Sequence, residues 1–271
     1  MWEYIRIFFG FADDPRTAEG WFSPTHLLYA TGMVILAVLA AVFLGKRAKR
    51  KGERTTRRIM IVATCLMLFF ELFKIVLICI RNKDPLCWLS MLPLFLCSIM
   101  LFAIPIATFA KGRVRQSAID FSFIFGPLCM LAGNYLAANY FADSPVFRFD
   151  SMVSVTTHSI SGFFGLFVMI AGLVRIEKRR IPDYCVILGG FELLALAADL
   201  INKNPIAGRE YESNYMFFRD SSGTPFSIFE NIAGGPGAFY TVLVALSYFA
   251  YLFAFLGVYF LIRHLMKKKR G

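Results

Sequence analysis

A cysteine, a histidine and a carboxylate at similar depths in a membrane could carry out acyl transfer, and this sequence supplies Cys97, His158 and Glu71 for those parts. The thiolate of Cys97 would attack a lipid ester while His158 takes the thiol proton and later returns it to the leaving group. Glu71, or alternatively Asp199, would orient the imidazole, as the third member of a triad does. Lys74, Asn134, Glu192, Asp199, Asn214 and Tyr215 complete the set as candidate contacts to substrate, with Asn139 beside Asn134 and His26 on another segment. A metal centre is not indicated, because Cys65, Cys79, Cys87, Cys97, Cys129 and Cys185 show no paired CxxC spacing. No cofactor is implied either. Cys79 and Cys87 can both reach the outer surface, which leaves a disulfide across the short turn between them as an option.

These residues matter together only if their helices bring them to one level. An α-helix rises ~1.5 Å per residue, which places Cys97 roughly 14 Å and His158 about 10 Å below the outer boundary. Glu71 and Lys74 fall in the same outer half, Glu192 near mid-depth, and Asp199 and Asn134 near the outer end. Ionisable groups inside a span are costly and face a bundle interior or a cavity. The expectation is a cavity open to the outer half of the membrane, lined by His158 and residues of spans 2, 3 and 6. Each group also has a plainer role available. Glu71 and Lys74 stand three residues apart and can neutralise each other; Cys97 can be packing; Asp199 and Asn202 can cap a helix. Ser154, Ser161, Gly162 and Gly165 make a small face around His158, suited to a close-packed helix or to an entering acyl chain or headgroup.

The elements that must hold these residues are transmembrane helices. Among 271 residues, 58% are hydrophobic and 17% charged, and 30 are phenylalanine, a surface that would aggregate in water. Spanning ~30 Å of hydrocarbon takes about 20 helical residues. Seven stretches qualify: 24–44, 58–80, 88–110, 116–141, 151–174, 182–202 and 238–262. The fold expected is therefore an all-α polytopic membrane protein, a bundle of seven transmembrane helices. Before it lies an interfacial segment, residues 1–23, with Trp2, Tyr4, Ile5, Phe8, Phe9 and Phe11. Residues 203–237 form a long loop rich in aromatic residues and Asn, suited to a lid, and a basic tail covers 263–271.

Direction follows from charge. The connections after spans 1, 3 and 5 and the tail hold twenty Lys and Arg, from Lys46 to Arg270, while the other side holds eight. The basic side is cytoplasmic, which puts the N-terminus outside and the C-terminus inside. The net charge of +11 is thus an orientation signal with contacts to anionic inner-leaflet lipid. No basic and aromatic stretch remains outside the spans to suggest nucleic acid. The N-terminus lacks a basic n-region and a cleavage site, so the first span is the anchor.

Leu92-Pro93-Leu94-Phe95-Leu96-Cys97, His158 and Asn214-Tyr215-Met216 resemble the YwaF-like family of bacterial integral membrane proteins over nearly the whole chain. That resemblance implies a multi-pass protein of the bacterial cytoplasmic membrane. It also implies kinship with a eukaryotic transmembrane acyltransferase that remodels phospholipids with a cysteine and histidine pair, and a more distant one with threonine and histidine hydrolases of fatty-acid esters. His158 matches the catalytic histidine. The acyltransferase cysteine directly follows the proline, where this chain has Leu94, and the family's usual span 3 histidine is Phe95. Cys97 stands one turn beyond Leu94, on nearly the same face. A membrane phospholipid or acyl ester is the partner this implies. A non-enzymatic lipid or amphiphile binder or transporter is the alternative, although no internal repeat supports a transporter.

Overall fold

In a computed structural model the chain is described at residues 1–136, 141, 144–222 and 224–268. Asn139, the end of the span expected over 116–141, and Lys269 and Arg270 of the basic tail lie outside the described residues. The α-helices are α1 (Trp2–Phe8), α2 (Pro24–Lys51), α3 (Glu53–Asn82), α4 (Met100–Phe109), α5 (Gly112–Tyr135), α6 (Phe149–Ile170), α7 (Ile181–Asn202), α8 (Ser227–Ala233) and α9 (Ala238–Lys268). No strand forms among the described residues. Six of the helices, α2, α3, α5, α6, α7 and α9, are long and apolar enough to cross a membrane, and the chain is a multi-pass membrane protein.

The basic connection expected between the first two spans is helical almost throughout. Lys and Arg are good helix formers, so α2 continues to Lys51 and α3 begins at Glu53, with Gly52 alone as the hinge. Gly52 has φ +85°, a left-handed conformation natural to glycine. The side of the bundle carrying this hinge is called the basic end below.

The largest departure from expectation is at 88–110, which is not one continuous helix. Cys87–Ser90 is a 3-10 turn, residues 91–95 are non-helical, and helix resumes as a 3-10 turn at Leu96–Ile99 that runs into α4. Pro93 is the local cause. It donates no backbone hydrogen bond, and its ring drives the preceding residue, Leu92, out of the helical region. Apolar surroundings tolerate such backbone only where protein satisfies it. Here that protein is the 203–237 loop and the end of α7: Met216 N–H donates to Leu94 O at 3.1 Å, Leu92 N–H to Tyr215 Oη at 3.1 Å, and Asn202 Nδ2 to Leu89 O at 2.8 Å. Tyr215 Oη also donates to Leu89 O.

At the centre, α5 packs along both α4 and α6. Glycines set the α5–α6 separation. A Cβ on Gly126 would stand 2.5 Å from Ser161 O, and one on Gly165 would stand 2.6 Å from Ser122 O. The small face of α6 is therefore occupied by a close-packed helix rather than open to a chain. At the basic end, Asp120 is fully buried within the protein. It accepts from Arg175 N–H at 2.7 Å, from Arg180 at 2.9 Å and from Tyr184 Oη at 2.9 Å, fixing the α6–α7 connection to α5.

Candidate functional site

His158 is 8% exposed, on the inward face of α6. Its ring lies in a notch of α5: a Cβ at Gly133 would fall 2.1 to 2.4 Å from Cδ2, Cγ and Nε2. Nδ1 is 3.4 Å from Ser154 Oγ, one turn earlier on the same helix. α5 was expected to contribute Asn134 to the site, but not Gly133, which receives the His158 ring.

Cys97 sits in the first turn of the helical segment Leu96–Phe109, just after the extended Phe95. Its sulfur is 4.0 Å from Ser98 Oγ. Cys129 on α5 is its neighbour, with Sγ donating to Leu96 O at 3.6 Å. Cys129 and Gly133 stand four apart on α5, one above the other on the same face, roughly 6 Å along the axis. Leu96, next to Cys97, and His158 thus touch the same face of α5 about one turn apart.

Glu71 and Lys74 face this region from α3. They form a buried ion pair at 2.8 Å, with Glu71 7% and Lys74 6% exposed. Both charges act electrostatically on Cys97 and on His158. A pair in such surroundings persists only where its geometry is good. Glu71 Oε1 is committed to Lys74.

The remaining candidates divide. Asp199 Oδ1 accepts from Ser213 Oγ at 2.6 Å and from Tyr215 N–H at 3.1 Å, and Asn202 binds Leu89 O and Ser213. These two side chains fasten the loop rather than cap α7. Asn214 closes its own turn, donating to Asp220 and Ser222 and accepting from Arg219 N–H. Tyr215 is fully buried against Phe95. Asn134 Nδ2 donates to Ser159 Oγ at 3.1 Å, and its backbone carbonyl accepts from His26 Nε2 at 2.8 Å. Since His26 Nδ1 accepts from Phe22 N–H, Nε2 carries the proton. Asn134 Oδ1, Glu192 Oε1 and Asp199 Oδ2 are buried without a hydrogen-bond partner among the described residues. Such acceptors are expensive in a dry site.

Met216 and Phe217 hold left-handed φ values of 54° and 58°. Neither is glycine, and such backbone costs of order 1–3 kcal/mol per residue. The strain is sustained by Tyr248 Oη donating to Met216 O at 2.8 Å and by the Met216–Leu94 bond. Sequence reading gave Tyr248 no role; a hydroxyl within an apolar helix was its only signal. Tyr215→Phe is expected to lower stability by about 1–3 kcal/mol, because Leu92 N–H loses its acceptor. Thermal unfolding in detergent checks it.

Two grooves lie away from this cluster. One of about 490 Å³ is lined by α1 and α3 residues including Trp2, Phe9 and Phe73, and one of about 440 Å³ runs between α2, α3 and α6 past Leu36, Arg58, Val62 and Ile160. Neither is lined by Cys97 or His158.

A family model described as the TMEM164 family matches residues 21–257. No curated protein and no solved structure matches.

Proposed function

We propose that this chain, which belongs to the TMEM164 family, directs its chemistry at lipid: transfer or hydrolysis of an acyl group held on a phospholipid or another lipid ester. The observation that supports this reading is that Leu96, next to Cys97, and His158 lie against one face of α5 about one turn apart, with the buried Glu71–Lys74 pair on α3. The resemblance of Leu92 to Cys97 and of His158 to a cysteine and histidine acyltransferase supports it.

In this reading His158 takes the proton of Cys97, and the thiolate attacks the ester carbonyl. The alcohol leaves with the proton from His158, and the acyl group stays on sulfur as a thioester. A hydroxyl of a second lipid, deprotonated by His158, then attacks the thioester and regenerates the thiol; water in its place gives a free fatty acid. Burial disfavours a thiolate, so the base must lie within reach. The first turn of Leu96–Phe109 contributes the positive end of a helix dipole at the sulfur. Asn134, Glu192 and Asp199 would meet the polar part of the lipid.

The membrane is the bacterial cytoplasmic membrane, crossed seven times, with the broken segment 87–109 as the third crossing, the N-terminus outside and the basic loops against anionic inner-leaflet lipid. Impermeant reagents on intact cells are expected to reach a label at Asn214, and to reach labels at Lys49 and Arg58 only after the membrane is opened. Labelling of both from one side would overturn this orientation.

The test of function is the purified protein in vesicles with a phospholipid bearing a labelled acyl chain. Labelled fatty acid, or label moved to a lysophospholipid, supports the reading. Retention of all label on the starting lipid favours the second reading, a lipid binder, for which the apolar groove between α2, α3 and α6 is the supporting feature.

A further inference from the structure

At the end of the bundle opposite the basic loops, α3 finishes at Asn82, and the chain reverses to start the Cys87–Ser90 turn. The reversal is tightly built. Lys83 takes a left-handed conformation, Asp84 N–H donates to Cys79 O at 3.2 Å, Asp84 Oδ1 accepts from Leu86 N–H at 2.9 Å, and Cys87 N–H donates to Asp84 O at 3.3 Å. The turn therefore lays Cys87 back over the last turn of α3. Its sulfur comes to 2.9 Å from that of Cys79, with Cys87 buried and Cys79 half-buried. Two unbonded sulfurs do not rest this close, so the backbone holds the pair at the point of bonding.

We infer that Cys79 and Cys87 form a disulfide in the mature protein. This rests on the outward orientation proposed above, since thiols on that face meet an oxidising compartment. The bond is made by exchange with an external disulfide. The thiolate of Cys79, the more accessible sulfur, attacks it and expels one thiol. Cys87, having lost its proton, then displaces the second thiol from the mixed disulfide. The pair thereby loses two protons and two electrons, and the oxidant is reduced to two thiols.

The bond would fasten more than a turn. Asp84, between the two cysteines, accepts from Tyr211 Oη at 2.9 Å and pairs with Arg209 at 3.0 Å, tying the same turn to the long loop. Beyond Cys87 the chain runs directly into the non-helical residues 91–95 and on to Cys97. The disulfide is thus a covalent anchor for the start of the broken span, applied just before the segment that carries the candidate nucleophile.

Thiol counting on the full-length protein tests this. The protein is purified without reductant, unfolded in detergent and treated with a maleimide that adds mass. With six cysteines in the chain, four additions are expected before reduction and six after it, and Cys79→Ser should give five in both conditions. Six additions before reduction would overturn the disulfide. Sidedness is read separately from the lone Cys79 of Cys87→Ser, which an impermeant maleimide should label on intact cells. Labelling of that thiol only from the cytoplasmic face would overturn the orientation on which the inference stands.

Discussion

Cys97→Ala is expected to reduce acyl release or transfer by about 10³-fold or more, the scale on which covalent enzymes lose rate with their nucleophile, while the protein remains folded. Cys97 is partly buried against the core and its only hydrogen-bond contact among the described residues is a weak one to Ser98, and Cys97→Ala removes a single sulfur atom. His158→Ala should cost about 10²- to 10⁴-fold, the usual range for a general base, and the double variant should be little worse than Cys97→Ala because the two act in one step. Single-turnover assays in vesicles measure all three. Full activity in Cys97→Ala would end the covalent proposal. A thioester trapped on Cys97 by acid quench and found by mass spectrometry would be its direct support.

Two glycines on α5 separate the site from the fold. At Gly126 an added methyl would stand 2.5 Å from the backbone oxygen of Ser161 and 3.2 Å from the Cα of Gly165. Backbone cannot step aside, so α5 and α6 must part. Gly126→Ala should cost about 3 kcal/mol, the upper end of overpacking costs, seen as a large fall in folded protein on gel filtration. At Gly133 the added methyl meets the His158 ring instead, and a side chain can rotate away. Gly133→Ala should therefore lose less stability than Gly126→Ala, because the buried ring must swing aside rather than backbone, and lose activity by about 10²-fold, the effect of displacing a catalytic group by about 1 Å. Equal loss of stability in the two variants would mean that His158 is only a packing element.

Six of the helices were legible because an apolar run bounded by charge has few other destinations. Span 3 was legible only as a run. Hydropathy registers that residues 88–110 are buried but not which conformation they take, and the break was signalled by Pro93 alone. Recognising it required knowing that Tyr215 and Met216, more than a hundred residues later, would replace the missing helical bonds. The duties of Asp199 and Asn214 were hidden although their partners Ser213 and Asp220 are only 14 and 6 residues away along the chain. Those partners are set by a loop whose path no periodicity encodes. The small face around His158 admitted two readings, and Gly126, Gly133 and Met130 on α5 decide it in favour of packing.

The broken segment 87–109 also imposes an order on biogenesis. Residues 88–110 are apolar enough to enter the bilayer during translation, yet the donors and acceptors that complete 89–94 come from Asn202, Tyr215 and Met216. The nascent chain holds none of these while its first five hydrophobic segments are being made. Until residue 216 has left the ribosome, the segment must satisfy its own backbone as a provisional helix or stay shielded by the insertion machinery. The site therefore matures late, and a chain stalled before the loop would carry every candidate catalytic residue in a membrane without yet having the conformation that places Cys97.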